Sequence, residues 1–114
     1  MDRFELKRFL DEDQAQAHKW RDDAEKRVRE AERIVEDFNA YVLSVGKSNL
    51  TDEEREQYKE ARELLQKARE DLIFYDGVEK GKAATAQLIR GQLAMEELAN
   101  AGRFVPRIVK PKRR

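Results

Sequence analysis

The chain has 114 residues, and 42% of them are charged, against about 25% in an average soluble domain. Its 24 basic and 24 acidic groups cancel, so no uniform field marks the whole chain as a nucleic-acid binder. The absence of cysteine excludes disulfides, thiolate catalysis and cysteine-built zinc or iron–sulfur sites. With only five glycines and two prolines, the composition favours a helical protein over a turn-rich β fold.

The first segment is predicted to be one long helix from about Asp2 to Leu43. Asp2 and Glu5 have the spacing of a capping box, in which side chains satisfy free N–H groups at a helix start. Asp11 and Gln14 share that spacing, which leaves open a break between them. From residue 24 onward, apolar residues alternate steps of four and three, as in a coiled-coil seam. They are Ala24, Val28, Ala31, Val35, Phe38 and Val42.

A connector from Ser44 to Leu50 separates this helix from a second one, because it combines Gly, Ser and Asn. Thr51 is the expected N-cap of the second helix, with Glu54 three residues later and acidic groups in the first turn. The second helix repeats the alternation of three and four. Its apolar positions are Tyr58, Ala61, Leu65, Ala68, Leu72 and Tyr75.

The two seams match when the chain folds back at the connector. The residue numbers of each facing pair then sum to 99 or 100 through six layers, from Val42 opposite Tyr58 to Ala24 opposite Tyr75. Large residues mostly face small ones, as complementary packing requires. We therefore predict an antiparallel helical hairpin. The alternative is that each seam pairs with another copy of the chain.

A third helix is expected from about Val78 to Asn100. The Asp76-Gly77 pair interrupts the second seam, and Asp76 with Glu79 again has capping-box spacing. Gly102 is the expected C-terminal stop.

The third helix carries an apolar stripe, and Gly91 lies inside it. That glycine costs about 1 kcal/mol relative to Ala, which is tolerable where another helix crosses closely. Apolar residues of the first helix before about Trp20 extend beyond the reach of the second helix, so helix three or a partner chain should cover them. The stripe consists of Ala84, Leu88, Met95 and Leu98, with Ala86, Ile89 and Leu93 beside it. The expected packing surface consists of Phe4, Phe9, Leu10, Trp20, Leu88 and Met95.

Residues 103–114 differ from everything before them. They hold six basic groups and no acid, which leaves 18 basic against 24 acidic groups in residues 1–102. Pro106 and Pro111 favour extended backbone. The segment has three interpretations. It is a solubilising tail, it folds back onto the acidic body of the same chain, or it docks on an acidic partner protein or on nucleic-acid phosphates. The expected docking residues are Arg103, Phe104, Arg107, Ile108, Lys110, Lys112, Arg113 and Arg114.

No catalytic, metal, cofactor or small-molecule substrate site is predicted. Gly46-Lys47-Ser48 ends like a phosphate-binding loop, but the pattern needs a glycine where Tyr41 stands. His18 is the only histidine, and we interpret it as a solvated i,i+4 pair with Asp22.

We therefore predict an all-α, non-enzymatic protein with a helical domain at 1–102 and a basic tail at 103–114. Its expected role is that of a structural or adaptor component that docks on an acidic partner surface or on its own copies. The arrangement resembles that of many small viral assembly and adaptor proteins, although no diagnostic residue carries the likeness. The alternatives are a nucleic-acid-binding accessory protein that uses the tail, and a small helical inhibitor of a partner enzyme.

We expect a location in the cytoplasm or within an intracellular or viral assembly. The apolar runs are too short to cross a membrane, and the N-terminus does not open like a signal peptide.

Overall fold

Two long antiparallel helices form a hairpin in the computed structural model, which describes residues 2–101. Helix α1 spans Arg3–Val45 and helix α2 spans Asp52–Asn100. A single turn of 3-10 helix, Lys47–Asn49, joins them, and no strand occurs within residues 2–101. The molecule is elongated, with extents of 84 × 34 × 16 Å. The predicted all-α hairpin is confirmed.

Both helices begin at the capping boxes that the sequence indicates. The Asp2 carboxylate accepts from the Glu5 amide at 2.8 Å, and the Glu5 carboxylate accepts from the Asp2 amide at 3.1 Å. Thr51 and Glu54 exchange the same two bonds at 3.0 and 2.9 Å. Two of the N–H groups that a helix start leaves free are satisfied in this way at each N-terminus.

The turn depends on Gly46, whose φ of +88° is a conformation that side chains rarely allow. Its amide donates to the Val42 carbonyl at 2.9 Å and so ends α1. Across the turn, the Tyr41 hydroxyl donates to the Glu54 carboxylate. This hydrogen bond raises the pKa of Tyr41 and lowers the pKa of Glu54. The side chain of Leu50 is buried beside the turn.

Helix α2 passes through Asp76-Gly77 without interruption, so the expected boundary of a separate third helix is wrong. The Asp76 carboxylate pairs with Lys80 at 2.8 Å, one turn further along the same helix, instead of capping a new one. A glycine inside a helix costs only about 1 kcal/mol, and the apolar layers on both sides outweigh that cost. The expected stop at Gly102 lies outside the described residues.

Helix α1 is likewise continuous where a break was left open. The two side chains that have capping-box spacing there point to α2. Asp11 and Gln14 both accept hydrogen bonds from the Arg90 guanidinium. Their polar groups therefore serve contacts between the helices rather than a cap.

The twelve residues of the two matched patterns, here called the inner seam, lie along the parts of α1 and α2 nearest the turn. Five of them are buried and seven are half-buried. At its centre, Val28, Leu65 and Ala68 form a buried cluster against Ala31, Val35 and Leu72. The buried five are Ala24, Val28, Ala61, Leu65 and Ala68.

The same helix contact continues away from the turn. Leu10 and Ala17 of α1 are buried, as are Ala86 and Leu93 of α2. The first half of α1, for which a separate helix three or a partner was expected, is therefore accompanied by the continuation of α2.

We expect Ala31→Glu or Ala68→Glu to lower the free energy of unfolding by about 2–3 kcal/mol, because each places an unpaired charge between the helices. The loss corresponds to a drop of at least about 10 °C in Tm by thermal circular dichroism. Ala40→Glu, on the exposed side of α1, is the matched control and should melt like the parent. Equal melting of all four proteins would contradict the seam.

We expect Gly46→Ala to destabilise the hairpin by about 1–2 kcal/mol, because a Cβ disfavours the positive φ at this position. An added Cβ would also lie 3.3 Å from the Asn49 side-chain nitrogen. Lys47→Ala, one residue on, is the control and should stay within about 0.5 kcal/mol of the parent. Urea denaturation measures both variants, and equal midpoints would show that the turn tolerates a side chain there.

Candidate interaction surface

A charged layer interrupts the apolar contact just beyond the inner seam. The Arg21 guanidinium Nε lies 2.9 Å from one carboxylate oxygen of Glu79, and His18 Nδ1 lies 2.6 Å from the other. His18 was expected to pair with Asp22 on its own helix, and that expectation is wrong. A carboxylate oxygen of Asp22 instead lies 3.8 Å from Lys26 Nζ. The only histidine is therefore a contact between the helices.

Further charged pairs tie the two helices together toward their free ends. Lys82 contacts both carboxylate oxygens of Asp13 at 3.0 Å, and Arg90 binds Asp11 and Gln14. Next to the free ends, Arg3 pairs with Glu96 at 3.0 Å and Lys7 with Glu97 at 2.8 Å. These charged side chains of α2 point toward α1. The side of α2 that faces away from α1 therefore carries other residues.

An open groove between the helices contains several of these groups, and it is lined by Asp11, Gln14, Ala15, His18, Glu79, Lys80, Ala83 and Arg90. Asp11 and Gln14 contact Arg90 across the groove, and His18 contacts Glu79. Lys80 instead pairs with Asp76 of its own helix. Within residues 2–101, no group of three or more His, Cys, Asp or Glu side chains is placed to hold a metal ion. The groove therefore serves to align the helices.

The structure separates the residues that the sequence grouped as one packing surface. Leu10 is 5% exposed and lies between the helices. The other five have exposed fractions between 42% and 77%: Phe4, Phe9, Trp20, Leu88 and Met95. Within residues 2–101, the ring centroid of Trp20 lies 6.3 Å from that of Tyr75. Helix three was expected to cover the apolar side chains of α1, but Phe4, Phe9 and Trp20 stay exposed beside the continuation of α2. Cover by a partner chain, the other expectation, stays a prediction.

The eight residues expected to dock a partner through the tail lie outside the described residues. They are Arg103, Phe104, Arg107, Ile108, Lys110, Lys112, Arg113 and Arg114.

A second seam-like pattern runs along the outer side of α2, and we call it the outer stripe. Its positions alternate steps of three and four without a break, and all of them are exposed. Leu88 is 77% exposed. The outer stripe consists of Phe74, Gly77, Gly81, Ala84, Leu88, Gly91, Met95 and Leu98.

The outer stripe lies opposite the contact with α1. Ala86 faces α1 and is 1% exposed. Ala84 and Leu88 are each two residues away from it, which is about 160° around the axis of an α-helix. Helix α2 therefore has two apolar faces, of which only one is covered within the hairpin.

Three glycines in the outer stripe have no role inside the hairpin. A Cβ built on Gly77, Gly81 or Gly91 meets no atom within 4 Å. Each glycine nevertheless costs about 1 kcal/mol relative to Ala in the interior of a helix. Small residues on a helix surface let a second helix approach closely, so an approaching helix would give these glycines a purpose.

Charged side chains are absent from the outer stripe, although they make up 42% of the chain. Arg90 is the one charged residue between positions 83 and 95, and it points to α1. The positions that flank the stripe on either side are also mainly uncharged, and they include Val78, Thr85, Gln87, Gln92 and Ala94. Depletion of charge is typical of the core of a protein interface.

Sequence reasoning found only half of the outer stripe. Ala84, Leu88, Met95 and Leu98 were recognised, and Gly91 was placed among them. Phe74, Gly77 and Gly81 were missed, because the expected helix boundary separated them from the rest. The alternation of three and four that runs through Gly77 was the available signal.

Comparison of the chain with protein-family models, with curated proteins and with solved structures gives no match in any of the three. Neither of the two described helices contains a stretch that is long and apolar enough to span a bilayer.

We expect the pairs at the free ends to weaken in acid. Lys7 lowers the pKa of Glu97 below its ordinary value of 4.5. The pair therefore stabilises the hairpin above that pH, and its contribution is lost as the pH falls through the lowered pKa. The Tm difference between the parent and Glu97→Gln should be larger at pH 7 than at pH 3.

The matched control for this prediction is Glu63→Gln, on an exposed position of α2. It should show a Tm difference from the parent that changes less between the two pH values. A pH-independent difference for Glu97→Gln would contradict the role of the pair.

Proposed function

We propose that this protein is a non-enzymatic assembly protein, a structural or adaptor component that joins helices side by side through the outer stripe of α2. The observation that carries the proposal is a continuous apolar, uncharged and solvent-exposed face on a helix whose other face is already packed. The stripe spans 24 residue steps from Phe74 to Leu98, which is about 36 Å along the axis.

The arrangement of side chains supports this role in two ways. An extended exposed apolar patch is unusual on a soluble monomer and marks interaction sites. The alternation of three and four in the outer stripe is the spacing with which one helix packs against another. The inner seam uses that spacing between α1 and α2, so the outer stripe offers the same kind of contact to a helix from outside.

A catalytic role is less well supported by the groups that are present. The side chain of His18 contacts Glu79, and the carboxylates nearby contact Arg21, Lys82 and Arg90. These groups are engaged in contacts between the helices. Assembly requires only the faces of the helices and is therefore the simpler use of this hairpin.

The tail adds a second docking element to the proposal, argued from its sequence alone. Its six basic groups oppose the acidic excess of residues 1–102, and a surface rich in acidic groups on a partner would attract it. Apolar residues such as Phe104 and Ile108 would anchor it there. Attraction of this kind weakens as salt is added.

We expect the full chain to have a solution mass above the 13.4 kDa of one chain, at both low and high salt. A version that ends at Gly102 should give the same mass, because the outer stripe lies before that point. Leu88→Glu should reduce the mass to that of a single chain, because it places a charge in the middle of the stripe. Sedimentation or light scattering measures the mass.

Leu64→Glu is the matched control, since Leu64 is a 62% exposed leucine of α2 that lies outside the stripe. It should keep the mass of the parent. A parent that remains a single chain at every concentration would contradict assembly through the outer stripe. Loss of assembly in both variants would contradict the assignment to this face.

A further inference from the structure

We propose that the helix that packs on the outer stripe is α2 of a second copy, which runs antiparallel to the first. The inference rests on the proposed function and names the partner. It comes from the order of large and small residues along the stripe, which complements itself when reversed.

The pairing follows from the numbering of the eight positions. They are arranged symmetrically about Ala86, so in an antiparallel pair the numbers of facing residues sum to 172 in every layer. All eight positions are then used on both copies, and a two-fold axis passes beside Ala86. The layers, each formed twice, are Phe74 with Leu98, Gly77 with Met95, Gly81 with Gly91, and Ala84 with Leu88.

The sizes of the facing residues agree with this pairing. Met95 faces a glycine and Leu88 faces an alanine, so each large side chain of the central layers has room over a small one. The layer of Gly81 with Gly91 brings the two backbones close together. Phe74 and Leu98 close the two ends. Filling small positions with large side chains is the rule for well-packed helix contacts.

A parallel pair of the same helices would pack poorly. Each residue would then face itself, so that Leu88 meets Leu88 and Met95 meets Met95. Gly77, Gly81 and Gly91 would also face themselves and leave gaps between the bulky layers. Voids of this kind forfeit dispersion contacts and cost stability.

A shift of the antiparallel pair by one heptad toward the turn is also disfavoured. Met95 would then face Glu70, and Leu98 would face Lys67. The register about Ala86 keeps charged residues out of all eight layers and uses every position of the outer stripe on both copies. Both central flanking residues, Thr85 and Gln87, are uncharged, so two identical surfaces meet without like-charge repulsion.

The dimer has a simple overall geometry. A two-fold contact is isologous, so the same surface patch serves both copies and the assembly closes at two chains. The two hairpin turns point in opposite directions because the two α2 helices run antiparallel. The axis passes beside Ala86, in the half of α2 that lies away from Gly46. The glycines of the stripe acquire a role that the single hairpin does not give them.

Cysteines introduced singly and in pairs test the inference through the disulfides they form. The sequence contains no cysteine of its own that could interfere. We expect Gly81→Cys/Gly91→Cys to form disulfide-linked dimers under mild oxidation. Gly81→Cys alone and Gly91→Cys alone should stay unlinked. In the antiparallel pair, each single cysteine lies about 15 Å along the axis from its own copy, beyond the reach of a disulfide.

The matched control is Gly77→Cys/Gly81→Cys, which changes two glycines of the same stripe whose positions on the two copies lie at least about 15 Å apart along the axis in this register. It should remain unlinked on a non-reducing gel. All four proteins should keep the solution mass of two chains, which shows that the substitutions leave the association intact.

The outcomes separate the inference from the proposed function. Linked dimers of the Gly81/Gly91 double variant alone support the antiparallel register. Linking by each single variant overturns it in favour of a parallel pair. If the protein is a dimer but no cysteine variant forms a disulfide-linked dimer, the register is overturned and the assembly proposal stands. The same holds if the control links as well as the Gly81/Gly91 double variant. A parent with the mass of one chain overturns both.

Discussion

The fixed register between α1 and α2 is the constraint on which the rest of the structure depends. Facing residues keep nearly the same sum of numbers from Phe38 beside Tyr58 at one end to Arg3 beside Glu96 at the other. Because the register holds over the full length, it decides which residues of α2 are inside and which remain outside. The outer stripe is a consequence of that choice, since it lies about half a turn away from the packed face.

The two halves of the hairpin are stabilised differently. Near the turn, apolar layers such as Val28 with its neighbours Leu65 and Ala68 form the contact. Toward the free ends, buried leucines and alanines such as Leu10 and Ala86 alternate with charged pairs such as Lys82 with Asp13. Exposed pairs contribute little to stability on average, although they do specify alignment. The half whose helix contact is shared with charged pairs is also the half whose outer face is apolar.

The periodicity and the capping motifs of the sequence were enough to predict the hairpin, the turn, both capping boxes and a seam near the turn whose positions are all buried or half-buried. They were not enough to predict the length of α2. Local signals at Asp76-Gly77 resemble a helix start, but they are worth about 1 kcal/mol, and the packing on both sides of them is worth more. The partner of His18 was likewise missed, because a contact between Glu79 and His18 depends on the register of the whole hairpin and not on spacing within one helix.

The turn at one end of the hairpin also imposes an order on how the molecule closes. Tyr41 and Glu54 touch across 13 residues of chain, whereas Arg3 and Glu96 touch across 93. Closing a short loop costs less conformational entropy than closing a long one, so the helices zip from the turn, and the free ends open first. A second chain bound to the outer stripe would clamp this fraying half. The protein concentration would then set the fraction of molecules in which the free ends of α1 and α2 stay packed together, because binding to the folded state shifts the folding equilibrium.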